Sequence, residues 1–90
     1  MEIVRTLRII NEKGLHARAS ARFVEVVERF RSNVQVSKDG LTAAGDSIMG
    51  LLMLAASKGS VIEIRVNGND AEQLADALED LVASRFGEDF

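Results

Sequence analysis

Ile62, Ile64 and Val66 alternate with Glu63, Arg65 and Asn67, so this segment must be a strand with one wet face and one buried face. No other pattern in the chain restricts the fold as much, because it demands a sheet whose apolar side is covered. Val34 and Val36 alternate with polar residues up to Asp39-Gly40, a tight-hairpin dipeptide, and Leu41–Ala44 reads as the return strand. Residues 3–10 (IVRTLRII) are rich in β-branched residues and read as a further strand, although the alternation is imperfect.

The period changes to helical elsewhere. From His16 to about Arg31, Phe23, Val24, Val27 and Phe30 mark a buried face, opposite a charged stripe of Arg18, Arg22, Glu25 and Arg29. Residues 47–56 (SIMGLLMLAA) read as a short apolar helix in which Leu51 and Leu54 face the core. Leu74, Leu78, Leu81, Val82 and Arg85 share one face of a last helix, opened by Asp70 with Gln73 as a capping box. The order is β-α-β-β-α-β-α. It predicts an α+β open-faced β-sandwich, a four-stranded antiparallel sheet covered on one face by three helices.

Ninety residues without proline, repeat or low-complexity run predict a single domain over 1–90. There is no apolar stretch of bilayer length and no basic region followed by an apolar core at the N-terminus. A cytoplasmic protein without membrane insertion is therefore expected. The absence of cysteine removes disulfides, zinc-thiolate sites and thiol chemistry, and one histidine removes a multi-histidine metal site. Neither a metal nor a cofactor is expected. A net charge of −3 and four Phe without Trp or Tyr argue against nucleic acid as a partner.

So few reactive groups remain that His16 stands out, at the point where the loop Asn11–Leu15 becomes a helix. Free amides and the macrodipole make a helix start an anion site. A neutral imidazole is a good nucleophile toward phosphorus, and Arg18 nearby can contact phosphate oxygens. A cap or a plain surface histidine fits the same spacing equally well. A ferredoxin-like regulatory or anion-binding module shares the element order and stands as the alternative.

Gly14-Leu15-His16-Ala17-Arg18-Ala19-Ser20 resembles the active-site signature of the histidine-containing phosphocarriers of the bacterial phosphotransferase system, the HPr family. Asp46-Ser47-Ile48-Met49-Gly50-Leu51-Leu52 resembles that family's regulatory-serine segment, in the family's order and spacing. The resemblance implies a carrier that takes a phosphoryl group on Nδ1 of His16 from an Enzyme I-type kinase and passes it to Enzyme IIA-type acceptors. Such a carrier is a phosphotransfer intermediate, not an enzyme in its own right.

The same resemblance makes Arg18 the phosphate contact, with the backbone of Ala17 and Arg18 holding the phosphoryl oxygens. It places partner contacts at Ala19, Ser20, Arg22, Ile48, Met49 and Leu52, and a regulatory phosphate, set by a serine kinase/phosphorylase, at Ser47. A monomer is implied. Many family members carry proline directly after the arginine, where this chain has Ala19, which retains its amide. The tail SRFGEDF and the segment LLMLAASKG look more like the nitrogen-related branch of the family than the sugar-transport branch.

Overall fold

In the computed structural model, which describes residues 1–90, the alternating segments do become strands. The elements are β1 (Glu2–Arg8), α1 (Ala17–Glu28), β2 (Asn33–Lys38), β3 (Leu41–Ala44), α2 (Ile48–Met53), β4 (Val61–Asn67) and α3 (Ala71–Ala83), then a 3-10 turn at Arg85–Gly87. Their spatial order in the sheet is β1-β4-β2-β3, and every pairing is antiparallel. The chain is the open-faced α+β sandwich expected from its pattern.

β4 lies inside the sheet, which explains its clean alternation. Ile62 pairs with Leu7, Ile64 with Arg5 and Val36, and Val66 with Ile3 and Val34. Ile62, Ile64 and Val66 are fully buried beneath Phe23 of α1 and Leu74 and Leu78 of α3. Each such side chain contributes about 1.5–3 kcal/mol relative to exposure.

β1 alternates poorly for a specific reason. Arg5 occupies a position between Ile3 and Leu7 on the helix-covered side, where its guanidinium donates to Asp76 at 2.6 Å and Glu79 at 2.9 Å. The hydrogen bond that Arg5 donates to Asp76, more than any other influence, raises the Arg5 pKa. Asp39 (φ 51°) and Gly40 (φ 84°) both take the left-handed conformation that the β2–β3 hairpin needs.

Two helix ends and one helix cap differ from the sequence pattern. α1 ends at Glu28, and Arg29 and Phe30 continue only with bonds to carbonyls three residues back. α2 stops at Met53 instead of Ala56, because Ala55 turns into the left-handed region (φ 51°) at a position where glycine is the usual signal. The capping box at α3 does not form. Asp70 makes no side-chain bond to its own helix and instead accepts from the Arg31 amide at 2.9 Å and the Ser32 hydroxyl at 2.5 Å.

Past α3 the chain does not trail away. Arg85 (φ 58°) and Phe86 (φ 54°) reverse its direction, and Phe86 is fully buried in the core cluster against α1 and α3. Arg85, expected on the apolar face of the helix, is exposed and lies outside it. No helix is long and apolar enough to cross a membrane.

Candidate functional site

The loop before α1 is set by Gly14, whose φ of 66° suits glycine. A Cβ there would lie 2.5 Å from the Ala56 carbonyl oxygen, so the loop packs directly on the segment after α2. The Leu15 amide donates to that same carbonyl at 2.8 Å. Asn11, fully buried, donates from Nδ2 to the Gly14 carbonyl at 2.8 Å and fixes the turn from within.

This frame delivers His16 as the N-cap of α1, with an extended backbone (φ −77°, ψ −175°). Serine, threonine, asparagine or aspartate usually fills that role. Here the ring nitrogen Nδ1 accepts from the Arg18 amide at 3.3 Å, a long bond. Nε2 lies 2.5 Å from Oε2 of Glu88, which also accepts through Oε1 from Nδ2 of Asn11 at 2.9 Å.

Burial works against a charge on Glu88 and is the largest single influence on it. The hydrogen bonds from Asn11 and then His16 lead the influences that outweigh it, and the carboxyl is held below the usual carboxylate range. A carboxylate only accepts, so Nε2 carries the ring hydrogen, and Nδ1, which accepts, holds the free lone pair. That lone pair points at a helix start.

Arg18 is exposed on the first turn. With Glu12, Lys13, His16, Glu88 and Phe90 it lines a depression of about 180 Å³. A larger groove of about 440 Å³ between the end of α1 and β2 includes none of these residues. No group of three or more histidine, cysteine, aspartate or glutamate side chains is placed to hold a metal.

Three of the residues expected at a partner surface are placed otherwise. Ala19 and Ser20 are fully buried, because positions 19, 20, 23, 24 and 27 form one helical face and that face meets the core. Ser20 donates its hydroxyl inward to the Leu15 carbonyl at 3.2 Å. Arg22 is half-buried and its guanidinium donates to the Phe86 carbonyl, so it holds the tail.

α2 presents the others outward. Ile48 is 40% exposed and Met49 69%, while half-buried Leu52 shares a shallow depression with Lys13, Leu15 and His16. Leu51 and Leu54 are buried, as the pattern required. Ser47 caps α2, its Oγ accepting from the Gly50 amide at 3.0 Å.

The sequence reading missed four residues: Asn11, Met53, Phe86 and Glu88. Met53, 75% exposed, stands one turn after Met49, and that i, i+4 spacing was a usable signal. Phe86 followed by Gly87 marks an apolar anchor before a turn. Nothing local distinguishes Glu88 from Asp89.

The chain matches the family described as "PTS HPr component phosphorylation site" over residues 3–84. It is 48% identical over 83 residues to the phosphocarrier protein HPr of Neisseria meningitidis serogroup A, covering 92% of this chain and 93% of that one. The crystal structure of HPr-C-His from Thermoanaerobacter tengcongensis superposes with a TM-score of 0.93 at 40% identity, covering 98% of this chain and 99% of the other. HPr from Bacillus anthracis gives 0.86 at 37% identity, covering 90% and 96%. With fold and sequence in agreement along nearly the whole length, this chain belongs to the HPr family of phosphocarrier proteins of the phosphotransferase system.

Proposed function

We propose that the chain carries a phosphoryl group on Nδ1 of His16, taken from a phosphoenolpyruvate-dependent Enzyme I-type kinase and given to Enzyme IIA-type acceptor proteins. The observation that carries this reading is the position of His16 as the cap of α1, with Nδ1 facing the Arg18 amide. On attack, that amide passes from the ring nitrogen to a phosphoryl oxygen, so the group arrives where free N–H donors and the macrodipole already favour an anion. The amides of Ala17 and Arg18 and the guanidinium of Arg18 then share the charge on the phosphoryl oxygens.

Catalysis is divided. This chain supplies nucleophile, oxygen contacts and docking surface, while donor and acceptor supply the remaining groups. Exposed Ile48 and Met49 and half-buried Leu52 form the apolar part of that surface, with Leu52 lining the depression it shares with His16. Ser47 is the place for a regulatory phosphate, set by a serine kinase/phosphorylase. The relay belongs to the nitrogen-related or the sugar-transport branch.

The test is incubation with phosphoenolpyruvate and the upstream kinase, followed by mass spectrometry. Wild type should gain one acid-labile phosphoryl group located at His16, and His16→Ala should gain none. A phosphorylated species undiminished in His16→Ala overturns the reading.

A further inference from the structure

We propose that Glu88 is a positioning residue for phosphoryl transfer, holding His16 in the tautomer that exposes the Nδ1 lone pair. The proposal rests on the carrier reading above and deepens it. A free imidazole places its one ring hydrogen on either nitrogen, and only the unprotonated nitrogen attacks phosphorus. Oε2 of Glu88, 2.5 Å from Nε2, fixes the hydrogen on that side. The Arg18 amide, 3.3 Å from Nδ1, adds a second bias, because an Nδ1–H would face an N–H.

Glu88 is itself held from three directions. Asn11 donates to its other oxygen at 2.9 Å, Phe86 is buried two residues before it, and the Glu12 amide donates to the Phe90 carbonyl at 2.9 Å two residues after it. Arg22 adds a bond to the Phe86 carbonyl. The carboxylate side chain is only 15% exposed and the imidazole 28%. Both are more enclosed than an ordinary surface ion pair, where such contacts are weak.

The arrangement also accounts for charge. When the Nδ1 lone pair forms the N–P bond, the bond from phosphorus to the donor's leaving group breaks and that group keeps the electron pair. The Nε2 hydrogen stays in place, so the ring becomes a phosphorylated imidazolium carrying a positive charge. Glu88 neutralises that charge without any proton having to leave. On transfer to the acceptor the N–P electron pair returns to Nδ1, and the same neutral tautomer is restored. The other charged groups around the ring are Glu12 and Lys13 from the loop and Arg18 from α1; Glu88 is the one bonded to it.

Glu88→Gln separates the alternatives. Glutamine keeps an oxygen for Asn11 but turns an NH₂ toward His16, and that group donates to Nε2. The hydrogen is then driven to Nδ1. Two-bond ¹H–¹⁵N spectra of the unphosphorylated protein should show Nδ1 unprotonated in wild type and a substantial Nδ1–H population in Glu88→Gln.

Transfer from the donor kinase should lose about ten- to a hundredfold in kcat, with little change in KM. Glu88→Asp, which keeps a carboxylate, should recover part of both signals. Phe86→Ala, which releases the anchor, should reproduce the tautomer change through a different residue. The proposal is overturned by an unaltered tautomer in Glu88→Gln, by Nδ1–H as the major wild-type form, or by a loss that falls wholly on KM. The nitrogen spectra need no phosphoryl donor, so they decide this point separately from whether His16→Ala abolishes phosphorylation.

Discussion

Ser32 donates its hydroxyl to the Asp70 carboxylate at 2.5 Å, joining the loop after α1 to the turn before α3. The Ser32 hydroxyl first, and the Arg31 amide second, hold the Asp70 carboxyl below its ordinary range. A carboxyl depressed in the folded state contributes stability above its unfolded pKa, about 3.9 for aspartate, and loses it as pH falls through the folded value. Asp70→Asn should therefore lower the melting temperature at neutral pH and shrink the difference from wild type in acid. Glu88 is depressed as well and supplies a residual acid slope in the variant. Parallel melting curves for the two proteins from neutral pH into acid would remove Asp70 from the account.

Gly14→Ala should cost about 2–4 kcal/mol, combining left-handed backbone strain with overlap against Ala56 and Ser57. Gly59→Ala is the matched control, since Gly59 also has a positive φ but no neighbour within 4 Å of an added Cβ. It should cost only the backbone part, about 1–2 kcal/mol. Urea midpoints measure both, and equal losses would mean that the contact with Ala56 carries no weight.

Met49→Asp should leave stability within about 0.5 kcal/mol, because the side chain is 69% exposed. Binding to a phosphoryl acceptor, followed by calorimetric titration, should weaken. Leu51→Ala, two residues on but fully buried, should show the reverse pattern, with about 2–5 kcal/mol of stability lost. A Met49→Asp protein that unfolds contradicts the surface assignment.

Ser47→Asp should keep the α2 cap, since aspartate caps as well as serine, whereas Ser47→Ala should lose about 1 kcal/mol. If Ser47 is a switch, the added charge beside Ile48 and Met49 slows transfer from the upstream kinase while the fold stands. Equal transfer rates for Ser47→Asp and wild type at low salt, where charges are least screened, reduce Ser47 to a helix cap.

The sheet and its covered face were legible because period-two and period-3.6 patterns report burial directly, and the β4 alternation is the plainest instance. Where an ion pair substitutes for an apolar contact, as at Arg5, the pattern blurs but the strand survives. Helix ends were read less well. Ala55 ends α2 in a conformation that alanine does not advertise, and Asp70 spends its carboxylate on another loop.

His16, Arg18 and Ser47 stood out through motif and position. The burial of Ala19 and Ser20 was readable from their i, i+4 relation to Phe23 and Val24. Glu88 was not readable, because its role depends on contacts 72 and 77 residues away in sequence.

The reversal at Arg85 and Phe86 turns the tail into a ruler. Glu88 lies two residues beyond a phenylalanine fixed in the core, and that count sets where its carboxylate falls. One residue inserted between them would displace the carboxylate by up to about 3.3–3.6 Å, more than the length of the hydrogen bond it makes. Substitution at Gly87 or lengthening beyond Phe90 leaves that count untouched. Tolerance to insertion in this tail should therefore change abruptly within five residues, between Phe86 and Phe90.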